Sequence, residues 1–505
     1  MKYIILTLLI FNFTVFVSAQ SVVDALRFSQ TETASTARMA GIGGGMSALG
    51  GEFSVINVNP AGLAIYRSSE FSITPSFDIR NTTGILPGTG NSAMDDRANT
   101  FSFSNVGLVF NSRPNGKWKT SNFAIGFNRI ADFREDFSFR GQSSGSIADQ
   151  FLELSFDSNG QPIPAGQLDD FFAGPALDAG AILEFLEDGI LVAYENDFEL
   201  ADPGALVERL QTIRRDGSIS ELSLSFAGNY NNKLLIGGSL GVPILNYSQA
   251  REYEEFDPGT QPDGNIPFFE SLQFTDTLNT RGVGINVKLG IIYWPTPKLR
   301  IGAAVHTPTF YSLTDFFDTS VEYTFTDNGI TESGRGLPFN IREIDFGFRT
   351  PWRFIGSGGL IIPKFGLLTA EVEYVNYAGS RYNLDKEGNT LVDIERGEQI
   401  NEDINEEVES ALNFRIGAEY KIERFLVRAG YNYLGPARTD FNESRSRISV
   451  GGGYRADRYY FDIAYVRGST ESQFSPYDLE DNSEEQLIDR ELVSNRILFT
   501  FGYRF

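Results

Sequence analysis

His306 is the only histidine in the 505-residue chain, so hydrolytic chemistry would have to start from this residue. Hydrolases pair such a histidine with a nucleophile and a carboxylate in a defined geometry. The chain has no cysteine, which excludes thiol nucleophiles, disulfides and thiolate metal sites. We expect no nucleophile turn of the hydrolase type and interpret His306 as a structural side chain. The sequence therefore predicts a protein that is not an enzyme and that carries no cofactor or metal.

Binding is the other chemistry that the residue types allow, and its best candidate is an apolar stretch inside the polar region 131–219. Apolar residues recur there at roughly helical spacing. Exposed apolar surface often marks a binding site. We predict a loop with helices whose groove binds substrate through Phe171, Phe172, Ile182, Leu183, Phe185 and Leu186. The alternative is that these side chains pack the loop against itself and against the rim that carries it.

The elements that must position this loop are best seen at the carboxy terminus. Alternate residues from Ile497 to Phe505 are apolar, and the residues between them include Arg496, Thr500 and Arg504. The closing strand of an outer-membrane barrel shows this pattern, because one face meets lipid and the other a wet lumen. The alternative interpretation is an edge strand of a soluble β-sandwich.

Fourteen segments of the chain show strand patterns. They lie near residues 70–80, 101–110, 120–130, 220–230, 233–247, 281–293, 298–310, 352–362, 366–378, 411–421, 424–433, 445–455, 459–467 and 495–505. The connections alternate between long and short, as in an up-and-down barrel with extracellular loops and periplasmic turns. The sequence therefore predicts an all-β, single-chain antiparallel transmembrane β-barrel of 14 strands over residues 70–505.

The amino terminus and the composition indicate export to an outer membrane. Lys2 precedes an apolar run, and Val17-Ser18-Ala19 fits the small-residue cleavage rule, so residues 1–19 are predicted to be a signal peptide and Gln20 the first mature residue. The net charge of -24 argues against nucleic acid as a partner. We expect a monomer in the outer membrane of a Gram-negative bacterium, surrounded by lipid and lipopolysaccharide, with both termini periplasmic.

The segment before the first strand carries two motifs: a glycine-rich run at 41–51, and Asn59-Pro60-Ala61 with its continuation Gly62-Leu63-Ala64. The run lacks the Lys-Ser/Thr pair of a phosphate loop, so we interpret its glycines as sites of close backbone packing. Together with the signal peptide and the strands, these motifs resemble the FadL family of outer-membrane transporters for long-chain fatty acids and other hydrophobic compounds. The resemblance covers essentially the whole mature chain.

The resemblance implies a hatch, residues 20–69, that plugs the lumen and contains Asn59, Pro60 and Ala61. The alternative interpretation of this motif is a stiff structural turn. The resemblance also implies passive uptake: loops capture a hydrophobic ligand, the hatch rearranges, and the ligand leaves sideways through a gap at a kink in the third strand. Gly126 and Asn128 are the possible wall kink; the alternative is a straight strand with both residues facing the lumen.

Two other functions fit the same fold, and fold alone does not decide function. Some relatives are described as structural or docking barrels of a protein secretion system, and others as haemin receptors. A single histidine argues against haem binding. The hatch motif and the apolar loop favour a fatty acid-like hydrophobic ligand. Arg129, Arg134 and Arg140 are the cations nearest the predicted loop that could meet an acidic head group.

Overall fold

A computed structural model gives the structure of residues 20–32, 35–157, 159–201, 204–259, 266–339, 341–438, 444–479 and 486–505. The predicted signal peptide lies outside the described residues. Within the described part of the chain, no helix is long and apolar enough to cross a bilayer.

Most of the described chain is β-strand. The strands are β1 (Glu70–Ile85), β2 (Met94–Ser112), β3 (Trp118–Asp132), β4 (Glu135–Ser143), β5 (Leu183–Glu187), β6 (Ile190–Glu195), β7 (Val207–Tyr230), β8 (Leu234–Phe256), β9 (Phe269–Tyr293), β10 (Leu299–His306), β11 (Phe310–Asp327), β12 (Ile330–Gly336), β13 (Arg342–Arg349), β14 (Arg353–Ile362), β15 (Gly366–Asn376), β16 (Arg381–Asn383), β17 (Ser410–Ile422), β18 (Phe425–Leu434), β19 (Arg445–Arg455), β20 (Tyr459–Phe474) and β21 (Ile488–Arg504). All except β5 and β6 belong to one sheet.

This sheet closes into an antiparallel barrel. β3 with β4, β10 with β11, β13 with β14 and β15 with β16 are halves of interrupted strands, and β12 is a hairpin extension that pairs with β11. We call each uninterrupted or interrupted strand of the wall a stave, and the wall has 14 of them. β21 pairs with β1 from Arg504↔Glu70 to Asp489↔Ile85, which closes the ring. The predicted 14-strand barrel is confirmed.

The staves form where the sequence alternates between apolar and polar residues. Outward side chains are exposed and apolar, as in β9, where Val283, Ile285, Leu289 and Ile291 are all between 43% and 53% exposed. A surface of this kind is stable only against lipid, because so large an apolar band would be unstable in water. The barrel is therefore an outer-membrane protein.

The short connections between neighbouring staves lie at one end of the barrel, which we call the short-turn end; the other is the loop end. Asn231, Asn232, Lys364 and Glu423 have φ between 52° and 72° in these turns. Such left-handed residues suit tight hairpins, because they match the twist of the flanking strands. An outward girdle of exposed aromatic residues lies near this end, as expected at a membrane interface: Trp118, Tyr293, Phe365, Tyr420, Phe425, Tyr459 and Phe505.

The two ends of the described chain lie in different places. Phe505 follows β21 at the short-turn end, where its amide bonds to the carbonyl of Ser69. Gln20 is buried inside the barrel and donates to Asp315, 2.6 Å away, in the loop-end half of its stave. The first described residue is thus in the lumen rather than at the short-turn end.

Five α-helices complete the described structure: α1 (Val22–Ser29), α2 (Ala37–Gly41), α3 (Ile147–Glu153), α4 (Ala173–Ala179) and α5 (Leu391–Glu407). The loop predicted at 131–219 is shorter, 144–206, because its flanks extend the strands: β4 pairs with β7 from Ser143↔Val207 to Glu135↔Arg215. This loop contains α3 and α4. Its apolar side chains pack with those of neighbouring staves in a core above the lumen.

The prediction of a helix through residues 182–191 is wrong. β5 and β6 form an antiparallel hairpin there. Asp188 and Gly189 both have positive φ, 51° and 79°, at its tip. An Asp-Gly pair between apolar residues is a strong hairpin signal, and it outweighs an approximate helical spacing.

Candidate functional site

Residues 20–32 and 35–66, most of the segment predicted to be a hatch, lie inside the barrel, and we call them the hatch segment. Between residues 35 and 64 nearly every side chain is buried. The segment consists of α1, α2 and two 3₁₀ turns, Phe53–Asn57 and Pro60–Ile65. Arg38 connects the segment to the wall, because it donates two hydrogen bonds of 3.0 Å to the carboxylate of Glu419 in β17. The lumen near the short-turn end is therefore filled by chain rather than by water.

Glycine allows this packing on both sides of the contact. A Cβ on Gly430 would lie 2.2 Å from the amide nitrogen of Gly43, and one on Gly417 would lie 2.2 Å from the carbonyl oxygen of Ile42. Gly43 also has φ of 72°, a conformation that other residues rarely adopt. The structure accordingly explains the glycine-rich run as a site where the hatch backbone touches the wall.

The Asn59-Pro60-Ala61 motif forms a turn seated on two glycines. The Asn59 side chain accepts from the amide of Ala61 at 3.1 Å and donates to the carbonyls of Ile291 and Ala303 in the wall. Gly237 and Gly290, which pair with each other, leave the space for Pro60 and Asn59. The motif is thus a stiff turn that ties the hatch segment to β9 and β10; ligand contact at the motif stays a prediction.

His306 has a structural contact of the same kind. Its Nε2 atom lies 2.8 Å from the carbonyl oxygen of Val58, immediately before the motif. Two Gly-x-Ser-x-Gly sequences do occur, at 141–145 and 237–241, but Ser143 and Ser239 lie in strands β4 and β8 rather than at a strand-to-helix turn. Their hydroxyls contact Arg209 and Ser225 instead of the histidine. This geometry does not form a hydrolase triad.

Charges buried around the hatch segment are paired. Arg415 donates to Glu371 at 2.6 Å and also to Glu373, which Arg353 contacts at 2.6 Å. Ser47 of the hatch segment donates to Glu371 as well. Buried ions need this compensation, because removing either partner leaves an unpaired charge in a low-dielectric interior.

A chamber of about 1160 Å³ lies on the loop side of this packed region. It is bordered by α1, by α5 and by the segment that joins β3 to β4. Of the described residues that line it, eleven are arginines and seven are aspartates or glutamates. Apolar side chains share the lining; Val23 on α1 is 46% exposed there. The chamber thus combines apolar surface with many arginines, most of which form ion pairs with carboxylates in or behind the lining.

Arg396 on α5 is the chamber cation with the least compensation. Its Nε atom is buried without a hydrogen-bond partner among the described residues. Burial, with a smaller contribution from Arg342, lowers the pKa of the Arg396 guanidinium. An anion placed beside it would remove that penalty, because an opposite charge favours the protonated form.

The wall beside the chamber is interrupted. β2 pairs with β3 only from Asn105↔Asn128 to Ser112↔Ser121. Toward the loop end, residues 94–103 of β2 pair with β1 alone, while the rest of β3 and all of β4 pair with β7. We call this break in pairing the seam. Irregular register flanks it on both sides, near residue 104 and near residue 130.

The seam begins beside the predicted wall kink but does not include all of it. Asn128 is the last residue of β3 that pairs with β2, and its side chain accepts from Asn105 at 2.8 Å and from Ser35 of the hatch segment at 2.9 Å. Gly126 lies in the regular part of the strand. It is small because Phe53 of the hatch segment packs on it: a Cβ there would lie 2.2 Å from the ring.

The predicted loop residues divide into two groups. Phe171, Phe172 and Ile182 are buried, and the ring of Phe172 packs 5.5 Å from that of Phe274 in β9. Leu183, Phe185 and Leu186 are exposed on the β5–β6 hairpin, by 43% to 54%. The structure thus does not bring the six residues into one groove.

The loop-side arginines suggested by the sequence are paired elsewhere. Arg129 contacts Asp132 at 2.8 Å, Arg134 contacts Asp216 at 2.9 Å and Arg140 contacts Glu208. The chamber arginines were missed because they come from staves and loops far apart in sequence; their only signal is a position on a lumen-facing strand or an amphipathic helix.

Comparisons with known proteins support the fold. No protein-family model matches the chain, and no curated protein matches it. Among solved structures, a FadL homologue of Pseudomonas aeruginosa is similar, with a TM-score of 0.53 and 14% identity over 94% of this chain and 98% of the other. The deltaS2 mutant of the monoaromatic hydrocarbon channel TodX gives 0.51 and 11% over 93% and 98%. The toluene transporter TodX of Pseudomonas putida gives 0.47 and 12% over 94% and 98%.

Fold and geometry together define a class: an outer-membrane β-barrel with an internal amino-terminal segment, a chamber above it and one seam in its wall. The first two comparisons show that this fold is similar to that of a FadL homologue and of a monoaromatic hydrocarbon channel, in agreement with the fold that the sequence motifs predict.

Proposed function

We propose that the protein is a passive outer-membrane transporter for hydrophobic and amphipathic small molecules, long-chain fatty acids among them. The observation that carries this proposal is the position of the chamber. The same cavity touches the hatch segment at Arg27 and Glu32, the loop helix α5 at Ile400, and the seam at Asp132 and Phe133. A ligand held there would have the hatch below it and the lipid-facing seam beside it.

Release into the membrane suits such a ligand better than passage through the lumen. The packed hatch segment and the paired charges around Arg415 present polar groups along the lumen axis. An apolar chain gains free energy by leaving polar surroundings for lipid, roughly 0.8 kcal/mol for each buried CH₂ group. Lateral exit after a rearrangement of the hatch segment is therefore the proposed path.

The chamber lining favours an acidic amphiphile over a neutral aromatic ring. An arginine can hold a carboxylate through charge-assisted hydrogen bonds, and Arg396, whose Nε atom is buried without a partner among the described residues, gains from one. Val23 and Phe133 supply apolar contacts for a chain. The similarity in fold to a monoaromatic hydrocarbon channel does not carry over the ligand of that channel.

Capture at the loop end is proposed for the β5–β6 hairpin. Leu183, Phe185, Leu186 and Ile190 are exposed on it, Ile190 by 68%. The same exposed hairpin favours a second candidate function, in which the barrel docks a secreted protein partner. The two functions differ in what the purified protein carries.

Native mass spectrometry of the barrel, extracted in a detergent that is not a fatty-acid mimic, tests the proposal. We expect a co-purified fatty acid or lipid and saturable binding of dodecanoate that exceeds binding of dodecanol. Leu183→Asp with Phe185→Asp should reduce capture, whereas Ile330→Asp on the separate β11–β12 hairpin serves as the matched control. An empty barrel that fails to bind dodecanoate and carries a stoichiometric protein would contradict transport and support docking.

A further inference from the structure

Arg80 of β1 holds the strand segment that bends away from the seam. Its side chain points into the barrel and lines the chamber. The Nη1 atom donates to the carbonyl of Arg134 at 2.7 Å, and Nη2 donates to the carbonyl of Asp132 at 2.9 Å. The Asp132 carboxylate lies 3.6 Å from the same guanidinium. One arginine therefore forms hydrogen bonds with two backbone carbonyls and an ion pair with a carboxylate.

These carbonyls belong to the strand edge that would otherwise pair with β2. The amide of Phe133 bonds to Gly217 in β7, so the residues on either side of Phe133 face the opposite edge. There the carbonyl of Ile130 accepts from the amide of Glu32 in the hatch segment at 2.6 Å. Groups inside the barrel thus take the place of β2 for carbonyls 130, 132 and 134.

The replacement has an energetic reason. A backbone carbonyl without a partner beside the lipid phase costs several kcal/mol. Ion-assisted hydrogen bonds are the strong ones, so a guanidinium that reaches two carbonyls is an effective substitute for a strand neighbour. The contact of β4 with the inner face of β1 is close: a Cβ on Gly84 would lie 2.3 Å from the carbonyl oxygen of Ser138. The contact with β1 and the Arg80 hydrogen bonds therefore both hold the segment between β3 and β4 against the inner face of the wall.

We propose that Arg80 acts as a bolt: its hydrogen bonds to carbonyls 132 and 134 hold the segment between β3 and β4 in place until an acidic ligand displaces them. The inference rests on the proposed function and deepens it by assigning a regulatory residue to the same chamber. The carboxylate of a bound amphiphile competes with the two carbonyls for the Arg80 guanidinium. When the guanidinium turns to the ligand, carbonyls 132 and 134 lose their donor, and the segment between β3 and β4 moves relative to β2. A neutral hydrophobe of equal length leaves the bolt closed.

Spin labels across the seam test this bolt, since the native chain has no cysteine. Asn99→Cys on β2 and Arg140→Cys on β4 place labels at two exposed positions, one on each side. Pulsed electron paramagnetic resonance then reports the distance between them in nanodiscs. Arg140 pairs with Glu208 at an exposed site, where such pairs contribute little to stability.

The variants are Arg80→Gln, which removes the charge, and Arg80→Lys, which keeps it but cannot reach both carbonyls in a fork. Arg300→Gln is the matched control, because Arg300 also donates to a backbone carbonyl, that of Leu49 in the hatch segment, away from the seam. Each protein is measured alone, with dodecanoate and with dodecanol. Calorimetry on the same samples reports whether either probe binds.

The bolt predicts one distance for the labelled parent protein alone and with dodecanol, and a second distance population with dodecanoate. Arg80→Gln should show the second population without any ligand, Arg80→Lys a smaller fraction of it, and Arg300→Gln none. Identical distances in parent and Arg80→Gln, with and without bound dodecanoate, would overturn the bolt. Absence of dodecanoate binding to the parent would contradict the proposed ligand, while the ligand-free Arg80→Gln distance still decides whether Arg80 holds the seam.

Discussion

The wall of this barrel is continuous on one side and interrupted on the other. β7 and β8 pair without a break from Glu208↔Phe256 to Tyr230↔Leu234. β2 and β3 pair over only eight residue pairs and then separate at Asn105↔Asn128. The interruption lies beside the chamber, whereas the continuous wall carries the glycine seat of the hatch turn. The difference indicates that, of these two parts of the wall, only the one beside the chamber lacks continuous strand pairing.

The pairing of buried charges also differs between regions of the barrel. Around Arg415 and Arg353, arginines and carboxylates are matched at hydrogen-bonding distance. Arg396 on α5, which lines the same chamber, forms none of the ion pairs found among the described residues, and burial lowers the pKa of its guanidinium. A matched network stabilises a fixed structure, whereas an uncompensated cation is available to a ligand. If this division between a fixed and a responsive region is real, substitutions in the two regions should have different effects.

The largest expected effect is on stability, in the matched region. Arg415→Met leaves Glu371 and Glu373 without that partner and should cost about 3–5 kcal/mol, the range for breaking a buried ion pair. Arg335→Met is the control, because Arg335 pairs with Glu322 where both side chains are about half exposed. It should cost about 0–1 kcal/mol. Urea unfolding in lipid vesicles measures both; equal costs would show that the buried network is not special.

A second prediction concerns the pH dependence of hatch packing. Burial raises the pKa of the Glu52 carboxyl to about 7 from 4.5, although a hydrogen bond from Thr36 opposes the rise. Between these values the packed state keeps a proton that the unpacked state has lost, so stability is highest at low pH and falls as pH rises through about 7. The loss amounts to roughly 3 kcal/mol at 1.36 kcal/mol for each unit.

Hydrogen exchange of residues 35–66 at pH 5 and pH 8 measures this effect. The parent should exchange faster at pH 8 than its intrinsic chemistry explains, and Glu52→Gln should remove the difference. Glu423→Gln, in an exposed short turn, is the control. An unchanged difference in Glu52→Gln would assign the pH dependence to another group.

A third prediction concerns Arg396, the chamber cation with the least compensating negative charge. Arg396→Gln should weaken dodecanoate binding roughly tenfold, since a hydrogen bond to a charged group contributes about 1.5–3 kcal/mol. Binding of dodecanol should change much less, because it has no carboxylate to pair. Isothermal calorimetry gives both affinities. Equal losses for the acid and the alcohol would mean that Arg396 shapes the chamber without recognising charge.

The smallest effect is expected at the exposed hairpin. Phe185→Asp should slow capture of a fatty acid a few-fold without lowering stability, because Phe185 is 43% exposed and packs little. Phe172→Ala, at a buried position of the same loop, should instead destabilise the protein by about 3–5 kcal/mol. Uptake rates and unfolding midpoints of the two variants separate capture from packing. A stability loss in Phe185→Asp would place the hairpin in the loop core.

The wall could be predicted from the sequence because a strand side chain has only two directions. Alternation such as Val283, Ile285, Leu289 and Ile291 against glycine and polar residues identifies an outward face directly. The close-packed glycines of the hatch segment and the stiffness of the Asn59 turn follow from residue type in the same way. The position of each side chain relative to those of distant staves, by contrast, depends on how the staves align with one another.

Three features needed the structure. The inward bend after Asn128 has no signal in residues 135–143, which alternate like any other strand. Arg80 acts through carbonyls about fifty residues away, a contact that spacing cannot indicate. The β5–β6 hairpin did have a signal, Asp188-Gly189, which local turn chemistry makes stronger than the helical spacing around it.

Photolabelling can show whether a ligand passes from the chamber to the seam. A fatty acid with a photoreactive diazirine near its tail is bound to the barrel in nanodiscs, activated and mapped by mass spectrometry. We expect labels on Val23 and Phe133 in the chamber and on Phe101 and Phe103, which are exposed on the β2 side of the seam. Excess dodecanoate should remove them. Labels spread evenly over the outward face of the barrel, with none in the chamber, would contradict this path.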